Sequence, residues 1–200
     1  MADQKISAMP AAATPLTGAE LVPLVQSGGN VSSTVALFGA YARNTLFNYG
    51  AFQDLGLNQT AAANTVVELR IDTTDFTQGV TRVGNRISLT NAGVYSILIS
   101  LQLSNNDTAN TDDFTLWPVI NGTAAIGSAS TIGIPVKKST KNGHMILTAQ
   151  YTIQFAAAGY FEFNWFSIGG QVSVLTIPAS VVTPIHPASA GVTLSVIQVG

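Results

Sequence analysis

Two stretches of this chain alternate apolar and polar residues over more positions than any helix permits. In "HMILTAQYTIQF", Met145, Leu147, Ala149, Tyr151, Ile153 and Phe155 interleave with His144, Thr148, Gln150, Thr152 and Gln154. In "VYSILISLQL", Tyr95, Ile97, Ile99, Leu101 and Leu103 interleave with Ser96, Ser100 and Gln102. Successive side chains of a strand point to opposite faces, so a period of two gathers the apolar set on one side. A 3.6-residue helix would scatter the same side chains around its circumference. Each stretch therefore predicts a half-buried strand.

"YFEFNWF" repeats the pattern, with Phe161, Phe163 and Trp165 opposite Glu162 and Asn164, and the intervening "AAAGY" reads as a turn. The spacing predicts a hairpin between this strand and the one ending at Phe155. Its three aromatics read as core side chains rather than a sugar-stacking platform. Further strands are expected near 65–71, 86–89, 114–120, 172–177 and 192–199, separated by Gly, Asn, Pro and Ser clusters. Many short strands without intervening helices point to a sandwich or jelly roll.

The first 30 or so residues differ. They are rich in Ala, Pro, Thr and Gly, with one short extended piece, "ELVPLVQ", in which Pro23 blocks a central-strand role. They read as an arm. Residues 34–43, "TVALFGAYAR", predict a short helix with Thr34 as N-cap, Val35, Leu37, Phe38 and Tyr41 near one side, and Arg43 favourable near its C-terminal end. The expected organisation is an arm with a short helix over residues 1–48 and an all-β body over residues 49–200.

Charge is scarce. Of 200 residues, 9% are charged and 46% are hydrophobic, against about 25% charged in an average soluble domain. A surface so poor in ionised groups is best solvated when copies of the chain or a larger assembly cover much of it, so oligomerisation is expected. The net charge of −2 supplies no basic field, and the only lysine cluster, "KKSTK" at 137–141, reads as a solvated loop. No nucleic-acid partner is expected. The chain has no cysteine, which excludes disulfides, thiol chemistry and cysteine-based zinc sites.

No apolar run approaches the roughly 18 residues of a membrane span, so no membrane partner is expected. Pro10, Pro15 and Gly18 interrupt the stretch where a secretory signal would be continuously apolar. The Asn-X-Ser/Thr sequences at Asn30, Asn58, Asn106 and Asn121 read as chance in an Asn- and Thr-rich chain.

Candidates for catalysis are thin. His144 and His186 stand in no metal or hydrolase motif, and Glu20, Glu68 and Glu162 fall in separate strand-like contexts. No catalytic residue, enzyme activity or cofactor is expected. Asp107, Asp112 and Asp113 in "SNNDTANTDD", with Asn105 and Asn106, offer hard oxygen atoms to calcium but lack the regular spacing of a known calcium loop. The other reading is a long hydrated loop.

Two resemblances stand out. "KISAMPAAATPLTGAELVPLVQSGGNVSSTVA", residues 5–36, resembles a segment that opens many tailed-bacteriophage virion proteins. It matches as an Ile-Ser-x-x-Pro start (Ile6, Ser7, Pro10), then Leu-Thr-Gly-x-Glu-Leu-Val-Pro (Leu16 to Pro23), Val-Gln-x-Gly (Val25 to Gly28) and Thr-Val-Ala (Thr34 to Ala36). The resemblance implies an attachment segment placed before varied fibre, spike or head-decoration domains. Residues from about 50 to 200 look like the trimeric jelly roll of tumour necrosis factor-like and complement-type globular heads. That likeness rests on "NRISLTNAGVYSILISLQL", with Ile87, Leu89, Gly93 and Tyr95, on "FTLWPVINGT" with its Asn-Gly turn, and on "PASAGVTLSVIQVG". A collagen stalk is missing and the "SNNDTANTDD" loop is long, which sets receptor and immune roles aside.

Together the resemblances imply a homotrimer in a virion, made in the host cytoplasm and placed on the outer capsid surface. Its arm would dock Ile6, Met9, Leu16, Leu21, Val22, Leu24 and Val25 on the major capsid protein, as a capsid decoration or cement protein. The alternative is a tail or head fibre, attached to tail or portal-vertex proteins, whose jelly roll binds a host receptor or surface glycan.

Overall fold

The computed structural model describes residues 19, 21–26, 29–37, 39 and 48–200. The chain divides into two units, Met1–Leu46 and Phe47–Gly200. In the first, β1 (Leu21–Gln26) pairs antiparallel with β2 (Gly29–Thr34), from Leu21 opposite Thr34 to Gln26 opposite Gly29. Pro23 is tolerated because both strands of such a ribbon are edges. The expected single extended piece is therefore a hairpin: the chain returns along itself through "GNVSST", whose Ser and Thr residues carry no apolar alternation to announce a strand. Helical turns follow at 35–37 and 39, and the Leu37 N–H donates to Thr34 Oγ1 at 3.1 Å, which is the anticipated N-cap. Phe38, Tyr41 and Arg43 of the expected helix lie outside the described residues.

The second unit is all β. Its strands are β3 (Tyr49–Asp54), β4 (Gln59–Thr60), β5 (Val67–Glu68), β6 (Thr73–Gln78), β7 (Val80–Val83), β8 (Arg86–Leu89), β9 (Gly93–Asn105) and β10 (Asp112–Ile120), then β11 (Thr123–Ala124), β12 (Ser130–Ile134), β13 (Gly143–Phe155), β14 (Gly159–Ser167), β15 (Val172–Val174) and β16 (Val192–Gln198). One sheet runs β13–β9–β16–β3–β6, with β15 beside the end of β9 and β4 beside β15. The other runs β10–β14–β8–β7, with β11 and β12 on the free side of β10 and β5 beside β14. The chain passes between sheets at β4 to β5, β5 to β6, β6 to β7, β8 to β9, β9 to β10, β12 to β13, β13 to β14 and β14 to β15. This interleaving of two antiparallel sheets is a jelly roll.

The inward residues are those the alternation selects. Tyr95, Ile97, Ile99, Leu101 and Leu103 of β9 face Phe161, Phe163 and Trp165 of β14 in one buried cluster. The Trp165 ring stacks on Phe114 of β10 with centroids 5.2 Å apart. At the end of β10, Asn121 and Gly122 form a two-residue turn with φ of 48° and 81°, where an Asn-Gly pair relieves the strain of left-handed backbone.

The expected hairpin of β13 with β14 does not form. β13 pairs with β9, whereas β14 is held on one side by β10 and on the other by β8 and β5, so no edge of β14 is open to β13. The short link 156–158 carries the chain across the core. Tyr151 and Phe163 consequently meet between layers, their rings tilted by 46° with centroids 5.7 Å apart. Alternation fixes which side of a strand is buried but leaves open which layer the strand joins.

Phe163 is fully buried between the layers. Phe163→Ala is expected to cost about 3–5 kcal/mol in equilibrium denaturation, while Thr81→Ala on exposed β7 changes stability by less than about 0.5 kcal/mol.

Candidate functional site

The outer faces of the two sheets differ in charge. On the β13–β9–β16–β3–β6 sheet, register places Phe76, Ala51, Ser195, Leu98 and Gln150 in one outward row and Gln78, Tyr49, Ile197, Ser96 and Thr152 in the next. A third row holds Gln53, Thr193, Ser100 and Thr148. These polar side chains serve one another: Thr148 Oγ1 donates to Ser100 Oγ at 3.2 Å and Gln150 Nε2 to Ser96 Oγ at 3.0 Å. Leu98, Ile146, Ile197 and Phe76 stand exposed among them. At the border, Asp75 accepts from Gln53 Nε2 at 2.6 Å, and exposed His144 lies at the end of β13 next to Ser104. The rest of this surface is neutral.

The other sheet carries its ionised groups outward. Arg86 Nε meets Glu162 at 2.7 Å, and the guanidinium lies 4.5 Å from the centre of the Tyr160 ring. Glu68 is paired across the sheet with Asn164. Trp117 and Phe166 contact edge to face with centroids 6.0 Å apart. Charged, mixed and partly aromatic, this face is an ordinary wet surface in composition.

The acidic loop is spent on its own backbone. Asp112 is buried, and its carboxylate accepts from the Ser167 hydroxyl at 2.6 Å and from the Gly169 and Gln171 N–H groups at 2.7 and 3.0 Å. The Ala109 N–H, and after it that of Asn110, donate to Asp107 and hold its carboxyl below the usual carboxylate range. Asn105 Nδ2 donates to the carbonyls of Asn110 and Ile134, while its Oδ1 accepts from Asp107 N–H. Asp113 lies half-buried on β10. Among the described residues no three His, Cys, Asp or Glu side chains gather to hold a metal. Asp107 and Asp112, offered above to calcium together with Asp113, accept from backbone N–H groups, an engagement that spacing alone does not reveal.

Of the arm residues, Leu21 is exposed and Val22 half-buried on β1, and Leu24 and Val25 lie on the same strand opposite Val31 and Asn30. Ile6, Met9, Leu16 and Glu20 lie outside the described residues. His186 stands in the long connection between β15 and β16, its Nδ1 2.9 Å from the Pro187 carbonyl. That connection was not singled out by periodicity, because "TIPASVVTPIHPAS" alternates nothing. Its run of exposed aliphatics between prolines was the available signal. Among the described residues no helix is long and apolar enough to cross a membrane.

No protein-family model matches this chain, and no curated protein does. Solved structures match it, among them the crystal structure of murine APRIL at pH 8.5, with 9% identity over 76% of this chain and 99% of that one and a TM-score of 0.44.

Removing the Asp112 carboxylate leaves three donors without their acceptor. Asp112→Ala is expected to cost about 3 kcal/mol, and Asp107→Ala distinctly less, in thermal or chemical melts. The Asp107 contribution has a fixed sign with pH. A lowered carboxyl stabilises above its unfolded-state value and loses that effect as acid passes through the folded one, so Asp107→Ala should narrow its gap from the parent chain on acidification.

Proposed function

We propose that this chain is a non-enzymatic structural protein of a tailed-bacteriophage virion, a homotrimer that decorates the outer capsid through its N-terminal segment and strengthens the shell. The observation that carries the reading is the neutral outer face of the β13–β9–β16–β3–β6 sheet. A face of interlocked Ser, Thr and Gln with exposed Leu98, Ile146, Ile197 and Phe76 can be covered by copies of itself without stranding a buried charge. Closed cyclic assembly is the usual way to cover such a surface. The resemblance of residues 5–36 to phage attachment segments supports the virion setting and gives the arm its task.

Stabilisation then follows from linkage. A protein that binds assembled capsid, but not its dissociated subunits, shifts the balance away from rupture. Ordering an arm on a partner costs conformational freedom, which docked apolar side chains and main-chain hydrogen bonds offset. The second reading is a head or tail fibre that binds a host glycan. The half-buried Trp117, Tyr160 and Phe166 beside Arg86, Glu162 and Asn164 favour it, since rings flanked by planar polar groups suit sugar recognition.

Copy number separates the two. Quantitative mass spectrometry of purified particles should find on the order of hundreds of copies, in lattice proportion to the major capsid protein; about a dozen or fewer would place the chain at a tail or vertex instead. Deleting residues 1–30 should abolish binding to particles while the remaining chain stays folded and trimeric. Leu98→Lys together with Ile197→Lys should dissociate the trimer to a monomer by sedimentation, with circular dichroism showing that the chain stays folded.

A further inference from the structure

Between β15 and β16 the chain leaves the body as a narrow ribbon. Ile177 and Ser189 exchange both backbone hydrogen bonds, at 3.0 and 2.8 Å, and Ser180 and His186 exchange theirs at 3.0 and 3.3 Å. Its base is fastened to β9, where Gln102 Nε2 donates to the Ala190 carbonyl at 2.7 Å. At the tip Val181, Val182 and Ile185 are 88%, 71% and 75% exposed, and no ionised side chain lies within the tip. A ribbon held by a ladder and anchored at its base presents these aliphatics as a preformed knob. Isolated apolar residues on a surface are ordinary, but three on one protruding tip mark a contact.

At the foot of the same ribbon lies an open cleft of about 760 Å³, walled by Leu55, Leu57, Ile177, Pro178 and Ala188. The wall that carries Leu55 and Leu57 is held in place. Leu55 N–H donates to Asp72 at 3.0 Å, Arg70 donates to the Leu57 carbonyl, and Arg70 Nε is paired with buried Asp54 at 2.8 Å. The lining is mostly aliphatic, and Asn58 Oδ1 already accepts the Thr176 N–H at 3.0 Å. A small polar ligand would find too few orienting groups here. An apolar protein segment matches its aliphatic walls.

We infer that the Ile177–Ser189 ribbon of one copy inserts its tip into the Leu55–Leu57–Pro178 cleft of the next, closing the trimer as a ring of three identical knob-in-cleft contacts. The inference rests on the trimer reading above and supplies what that reading lacks. About twenty outward side chains of the neutral sheet approach the 20–30 residues a side of a standard interface, yet most are Ser, Thr and Gln. Such a face gives complementarity but little apolar burial, and stable interfaces concentrate their energy in a few desolvated anchors. The tip and cleft are those anchors, and they are continuous with the face. Gln102 and Ile146 line one groove with Ile177 and another with Ala188 and Ser189. Knob and cleft are different surfaces of one chain, so the contact is heterologous and joins copies head to tail around an axis.

The absence of cysteine gives a clean test. Val182→Cys and Leu57→Cys chains, each first shown to keep the parent's mass in solution, are co-expressed with different tags and oxidised. Disulfide-linked dimers carrying both tags, absent from either variant alone, are expected. The doubly substituted chain should yield covalent trimers that collapse to monomers on reduction. Val182→Cys chains that cross-link to one another would mean that tips meet tips, and would overturn the inference. So would an intrachain disulfide in the double variant, a ladder of covalent polymers beyond three, or no cross-link in a chain that is nonetheless trimeric. A parent chain that is monomeric in solution overturns the trimer reading together with this one.

Discussion

The jelly roll is organised around β9. Its 13 residues pair along their whole length with β13 on one side, and with β16 and β15 in succession on the other, so one strand sets the register of most of its sheet. The inner row from Tyr95 to Leu103 is almost completely buried. A slip of one residue would turn that row to solvent and bring Ser96, Ser100 and Gln102 into the core. The same pleat that buries the inner row holds the outer row of Val94, Ser96, Leu98, Ser100 and Gln102 at the centre of the neutral face. Core and proposed interface are two sides of a single register.

That coupling explains how much could be read in advance. Where a strand is buried on one side, as in β9 and β13, alternation is explicit and its inward residues were identifiable one by one. Arg86–Leu89 matched an anticipated segment, and β10, β15 and β16 fell close to theirs. Strands without an apolar rhythm were invisible: β2 is "GNVSST" and β6 is "TTDFTQ", held by pairing with a neighbour rather than by burial of their own. The supposed β13–β14 hairpin failed for a different reason. A tight link and two matching patterns describe adjacent strands in one sheet and facing strands in two sheets equally well, and only the saturation of both edges of β14 distinguishes them.

The proposed interface was legible as composition before it was legible as a place. A charge content of 9% sets the expectation that some surface is covered. Only the register shows that Arg86, Glu162 and Glu68 lie on the β10–β14–β8 side and leave the opposite face neutral apart from Asp75 and His144 at its border. The acidic loop's bonding was hidden for a related reason. Carboxylates close in sequence suggest a shared ligand, but Asp112 turns inward to the backbone beyond β14 while Asp107 caps its own turn. Geometry gives each an acceptor role toward backbone N–H groups.

The claim on which the rest depends is that copies of this chain cover the neutral face. Sedimentation equilibrium of the unmodified protein, over a wide dilution range at physiological salt, tests it without substitutions or partners. A mass of three chains, persisting on dilution and insensitive to added salt, is the predicted result, because a neutral interface gains nothing from screened charges. A mass of one chain throughout would contradict the account, since the neutral face would then be a solvated surface.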